Sequence, residues 1–258
     1  IPPMAVFGKL YDQAPEDTEA ILARVRACAR LLAQELIDCG VDFSFAPVLD
    51  LGLHADTVIG DRAFHAQPET LEVIAAAFIE GMQQGGMQAT GKHFPGHGHV
   101  LADSHLETPV DHRPFDDILL QDMQPFIGLK DRLGAVMTAH IAFPTVDNAL
   151  PTFSRTWLRS ILREEIGFQG LIFSDDLSMH GAHVAGGIVE RAKAALDAGC
   201  DMVLVCNDHA AMDELLAAGP FVASAESQQR FENMKARPRA KMSALQLDQT
   251  RTFLANLV

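Results

Sequence analysis

The stretch GKHFPGHGHVLADSH, residues 91–105, holds four of the chain's eleven histidines: His93, His97, His99 and His105. Lys92 and Asp103 stand among them. Such a segment is open to three chemistries. As a metal site, His97-Gly-His99 with Asp103 and His105 is close to the HxHxDH spacing of binuclear zinc hydrolases. The spacing departs from that pattern, because His99 and Asp103 are three residues apart in the gap and Ser104 separates Asp103 from His105. No CxxC or HExxH element accompanies it. As a plain polar loop, Pro95 with Gly96 and Gly98 permits sharp turns. As a general acid/base loop, Asp103 orients the imidazole of His105 and holds its proton on one ring nitrogen. An imidazole with an unperturbed pKa of ~6.5 both gives and takes a proton near neutrality. A second group is then needed across the cleft, and the FSDD of Phe173–Asp176 offers a carboxylate there. Aspartate also favours helix N-caps, so one of Asp175 and Asp176 can cap while the other reacts.

These groups need a scaffold, and composition bounds it. With 258 residues, 48% of them hydrophobic, the chain can build one large α/β domain or two small ones. It carries 34 acidic and 20 basic side chains, a net charge of −14. That balance argues against nucleic acid or an anionic membrane surface as the main partner. No run of 18 apolar residues exists to span a bilayer, and no secretory leader opens the chain. Cys28, Cys39, Cys200 and Cys206 form no CxxC pair and read as buried free thiols of a reducing compartment, the cytoplasm. The opening Ile-Pro-Pro reads as a fragment or a processed form.

Helical and strand signals alternate along the chain. Residues 17–38 carry apolar positions at helical spacing, with Gly40 as a stop. VDFSFAPVLDL from Val41 reads as a buried strand running into a loop. A helix from Glu69 ends at a glycine pair, and a short strand follows from Met87. The helical stretch from Phe115 contains Pro125, which interrupts a helix interior. Strands are expected from Gly134, Gly170 and Met202, with helices opening at Ser154 and near Val189 between them, and a polar helical tail from about Asp208. Five strands, each followed by a helix, argue for parallel βα units. Polar residues gather where those strands end: Asp50, Lys92 and His93, His140, Asp175 and Asp176, and Asn207. In parallel α/β folds that end of the sheet carries the active site.

Six motifs then stand in order: SFAPVLDLG (44–52), IGDRAFH (59–65), KHFPGHG (92–98), ADSHLETP (102–109), IFSDDLSM (172–179) and DAGCDMVLVCN (197–207). Together they resemble the glycoside hydrolase family 3 β-N-acetylglucosaminidases, bacterial cytoplasmic enzymes of peptidoglycan recycling. The resemblance covers nearly the whole chain and implies a TIM-type (β/α)8 barrel as a single catalytic domain over 1–258. It implies Asp175 as nucleophile, His105 as general acid/base and Asp103 as its partner. Arg62, Lys92 and His93 would hold the sugar, the lysine and arginine donating to hydroxyls or to the acetamido carbonyl. Asp176 is expected to cap or support. The implied reaction is retaining hydrolysis of a terminal β-linked N-acetylglucosamine on a muropeptide-type saccharide, through a glycosyl ester on Asp175, with no cofactor. Gly96 and Gly98 are expected to hinge the loop bearing His105.

The resemblance also implies an N-terminal segment of about 70 residues ahead of Ile1, so the barrel is expected to lack its first two βα units of eight. Such a barrel has unpaired edges, which a homodimer could cover. Three other functions stay open. They are phosphorolysis, since a histidine acid/base does not repel phosphate, substrate-assisted cleavage by the acetamido oxygen, and sugar binding without turnover.

Overall fold

The computed structural model describes residues 1–54, 58–100 and 108–257. The expected first long helix is α2 (Thr18–Asp38), preceded by α1 (Ala5–Gln13) and followed by α3 (Pro68–Gly85). α2 buries Ile21, Val25, Cys28 and Ala29; α3 buries Leu71, Ile74, Ala75, Phe78 and Met82. Each set recurs every three or four residues, so each helix presents one apolar stripe, and the two stripes share one core.

Four strands form one sheet: β1 (Thr90–Phe94), β2 (Ala135–Thr138), β3 (Leu171–Asp176) and β4 (Met202–Leu204), in that order and parallel throughout. Parallel neighbours require crossovers. α4 (Phe115–Leu120) and α5 (Gln124–Leu129) connect β1 to β2; the π-helical segment Thr156–Glu165 connects β2 to β3; α6 (Ile188–Ala198) connects β3 to β4. Beyond β4 lie α7 (His209–Ala217), α8 (Ala225–Met234) and α9 (Ala244–Ala255). Alternate strand residues serve opposite faces. Val136 and Ile172 join the helical core with Trp157. Ala135, Met137, Leu171 and Phe173 form a second cluster, packed by Phe43, Phe45, Phe231 and Met234.

Three expectations are modified. The strand from Val41 is realised only at its end, where Val48 bridges Lys92 in parallel sense. The Leu49 N–H donates to Lys92 O at 2.7 Å and the Thr90 N–H to Ala46 O at 2.8 Å. Pro47 lacks the N–H that a regular ladder needs, and Val41 is exposed. The stretch around Pro125 is two helices, with Pro125 in the first turn of α5, where no helical partner is lost. All four cysteines are free thiols, but only Cys28 and Cys200 are buried. Cys39 follows the last turn of α2 and Cys206 follows β4, both where the chain leaves the core. No described helix is long and apolar enough to cross a membrane.

Candidate active site

The parallel sheet brings Asp50, Lys92, His93, His140, Asp175 and Asp176 to one end. Asp50 is fully buried. Its carboxylate accepts the His93 N–H at 3.1 and 3.2 Å, the His93 ring Nδ1 at 2.7 Å and the His97 N–H at 2.8 Å. Burial by itself would raise the Asp50 carboxyl; His93 and His97, through charge and hydrogen bonds, outweigh it and hold the group below the ordinary carboxylate range. With Nδ1 donating to Asp50, His93 leaves Nε2 for a substrate. The β1–β2 register slips between Lys92 and Phe94, at His93.

Asp175 lies half-buried at the end of β3, with its N–H donated to Thr138 Oγ1 at 3.3 Å. Its Oδ1 accepts the Asp176 N–H at 2.8 Å. Burial pushes this carboxyl up, but His93, His140, that N–H and Lys92 together pull it below its usual value. The result is a carboxylate kept ionised. Lys92 in turn is held below the ordinary lysine range, chiefly by burial and by Arg62, against the pull of Asp175 and Asp50. Arg62 and Lys92 both line a cavity of about 310 Å³, walled by Phe45, Val48 and Phe78. The Arg62 Nη1 donates to Val58 O at 3.0 Å.

Asp176 caps no helix, since Met179 holds the N-cap position of the 3-10 turn His180–Ala185, and it takes the supporting part instead. Its Oδ1 accepts the Ser178 N–H at 2.9 Å, the Ser178 hydroxyl at 2.7 Å and the Cys206 N–H at 3.0 Å, which ties the loops after β3 and β4 together. Behind both aspartates His140 is fully buried, its Nε2 3.1 Å from Asp176 O and its Nδ1 3.0 Å from Thr152 Oγ1. Burial holds the His140 imidazole below its ordinary pKa, against Asp175 and Asp176, so it is neutral at pH 7.

The loop leaving β1 is anchored. Asp122, 1% exposed, accepts from the His99 ring Nδ1 at 3.0 Å and pairs with Arg113 at 2.9 Å. Arg113 also forks onto Asp111, with contacts of 3.0 and 2.6 Å to one oxygen. Gly96 and Gly98, expected as hinges, are buried packing positions. A Cβ on Gly96 would lie 2.5 Å from the Asp122 Cβ, and one on Gly98 would lie 2.4 Å from Leu51 O. Glycine here permits close approach of backbone, at φ +145° for Gly96.

Of the residues picked from the sequence, Asp175, Lys92, His93 and Arg62 come to the same end of the sheet. Asp103 and His105 lie outside the described residues. Asp50 and His140 were visible only as polar strand ends. Thr138 and Thr152 carried no signal, because a buried threonine reads as an ordinary strand or turn residue.

Residues 1–237 match the model of the Glycosyl hydrolase family 3 N terminal domain. The chain belongs to glycosyl hydrolase family 3. Among its relatives, the "Beta-hexosaminidase" of Methylobacillus flagellatus is 48% identical over 235 residues, 91% of this chain and 66% of the relative. That of Thiobacillus denitrificans is 48% identical over 239 residues, 92% of this chain and 66% of the relative. This family 3 chain thus spans 66% of the length of these curated relatives. A crystal structure of NagZ from Neisseria gonorrhoeae in complex with N-trifluoroacetyl-D-glucosamine is similar at a TM-score of 0.88 and 40% identity, covering 100% of this chain and 75% of that one. The parallel sheet of this family 3 chain is accordingly part of a TIM-type (β/α)8 barrel, with four laddered strands among the described residues. Its polar residues gather at the face where such barrels carry their chemistry.

Proposed function

We propose that this chain carries the catalytic centre of a retaining β-N-acetylhexosaminidase. The observation that supports this most directly is Asp175: a carboxylate at the end of β3, lowered in pKa by His93, His140 and Lys92 around it. An ionised, fixed carboxylate is what nucleophilic attack on an anomeric carbon needs. Relatives named beta-hexosaminidase, and the NagZ complex with an N-acylglucosamine, support the sugar.

In the first step a protonated His105 gives its proton to the departing oxygen. The bond from that oxygen to the anomeric carbon breaks, and a bond from Asp175 forms. In the second step His105 takes a proton from water, the water oxygen bonds to the anomeric carbon, and the ester to Asp175 breaks. Asp103 holds His105 in the required tautomer. The usual pair of carboxyl groups is replaced here by one carboxyl and one imidazole. Lys92 and Arg62 donate to the sugar, and His93 meets it through Nε2, the ring nitrogen not engaged by Asp50. We assign the natural substrate as a muropeptide-type saccharide ending in β-linked N-acetylglucosamine, handled in the cytoplasm; the free thiols fit that compartment.

The test is release of nitrophenol from 4-nitrophenyl N-acetyl-β-glucosaminide by this chain beside its Asp175→Ala variant. Turnover that the variant loses by at least ~1,000-fold is expected. Equal turnover in both would overturn the role of Asp175, and no turnover by the unmodified chain would overturn its activity. Sugar 1-phosphate among the products in phosphate buffer would replace hydrolysis by phosphorolysis.

A further inference from the structure

Three side chains behind the site are more completely buried than Asp175 itself. Thr138, Thr152 and His140 are each 0% exposed. They form one continuous path. Thr138 Oγ1 receives the Asp175 N–H at 3.3 Å, Thr138 and Thr152 hydroxyls are 2.8 Å apart, Thr152 Oγ1 is 3.0 Å from His140 Nδ1, and His140 Nε2 is 3.1 Å from Asp176 O. The path leaves the backbone at the amide of Asp175 and returns to it at the carbonyl of Asp176. We propose that Thr138, Thr152 and His140 are positioning residues, a directed hydrogen-bond clamp that holds the Asp175 carboxylate at its working angle by gripping the backbone on both sides of it.

The direction follows from chemistry. A carbonyl oxygen only accepts, so His140 Nε2 carries a hydrogen. A neutral imidazole then has a bare Nδ1, which accepts from the Thr152 hydroxyl. Thr152 has spent its one hydrogen, so it accepts from Thr138. Thr138 has spent its own, so its remaining lone pairs face the Asp175 N–H. Each hydrogen is used once and no donor is left over. The other acceptor near Thr152 Oγ1, the carbonyl of Ala139, is 3.5 Å away and competes weakly. Phe153 stacks on the His140 ring at 6.1 Å and 15°, which fixes the ring's rotation.

The kinetic arm of the test rests on the glycosidase reading above; the proton order does not. Thr138→Val and Thr152→Val keep shape and β-branching but delete the hydroxyl. Each is expected to lower kcat on the nitrophenyl substrate by ~10–100-fold, with KM within ~2-fold, because loss of alignment acts on the chemical step. Thr138→Ser restores the hydroxyl and is expected to hold kcat within ~3-fold of the parent. Valine variants with unchanged kcat, or a loss confined to KM, would overturn the clamp. Nitrogen-15 histidine spectra read the proton order in the full chain whether or not it turns over substrate. The Nε2–H tautomer of His140 is expected at pH 7, with the Nδ1 resonance moving toward that of an unbonded ring nitrogen in Thr152→Val. An Nδ1–H tautomer, an imidazolium, or an Nδ1 signal indifferent to Thr152→Val would refute it. Turnover absent throughout, with the expected spectra, would strike the glycosidase reading and leave the clamp's hydrogen bonding standing.

Discussion

Substituting Asp50 by asparagine tests how the site is held together. The Asp50 carboxylate receives three donors, the His93 N–H, the His93 ring and the His97 N–H, at distances down to 2.7 Å, and no part of it reaches solvent. An asparagine has one acceptor oxygen, and its NH2 must face at least one of those donors. A charge-assisted hydrogen bond is lost and a buried donor is left unmatched. These overlapping costs come to about 2–4 kcal/mol. For a domain of this size that lowers Tm by ~5–15 °C. The pH dependence carries the stronger test. Asp50 has a folded-state pKa below its unfolded value of ~3.9, so its contribution to stability is full above that pH and is lost as pH falls through the folded value. A protonated Asp50 presents a hydrogen to the same donors, as asparagine does. Urea unfolding of parent and Asp50→Asn from pH 7 down to pH 3 is therefore expected to show a gap that is constant near neutrality and narrows below ~pH 4. A gap under ~0.5 kcal/mol at pH 7, or one that stays the same to pH 3, would refute the view that an ionised Asp50 anchors the histidine loop.

Other outcomes follow from the same geometry. Lys92→Met removes a charge that lowers the Asp175 carboxyl, so the acid limb of kcat/KM against pH is expected to move to higher pH, and an unmoved limb would separate the two groups electrostatically. Phe173→Ala empties a fully buried site where the ring meets Phe43 at 5.4 Å and Phe45 at 5.3 Å; a loss of ~3–5 kcal/mol in urea unfolding is expected. An aromatic thiol reagent at pH 8 is expected to titrate Cys39 and Cys206 in the native chain, Cys206 more slowly because burial and the neighbouring Asp176 and Asp175 raise its pKa. Cys28, pushed up to about 11 by burial, and Cys200 are expected to react only on unfolding.

Much of this protein was legible in order of residues alone. The helix over 17–38 and the strands at Thr90, Ala135 and Leu171 announced themselves because their patterns are local: apolar residues at period 3.6, or short β-rich runs between glycines. The parallel βα alternation followed, and with it the end of the sheet where Lys92, His93, Asp175 and Asp176 had to meet. The motifs from Ser44 to Asn207 named the family before any contact was known. What the sequence could not state is which groups act on which. Asp50 and His93 are 43 positions apart, and only the crossing of their two chain segments puts one carboxylate under three donors. Gly96 and Gly98 look like hinges in a string of letters, yet they are packed against Asp122 and Leu51. Thr138 and Thr152 are ordinary types at ordinary spacing, His140 was visible only as a polar strand end, and their hydrogen bonds become directed only when burial removes water as the alternative partner. Residue pattern decides which elements form. Solvent exclusion at the point where those elements converge decides the protonation, partner and aim of each group, and that is a property of the assembled fold.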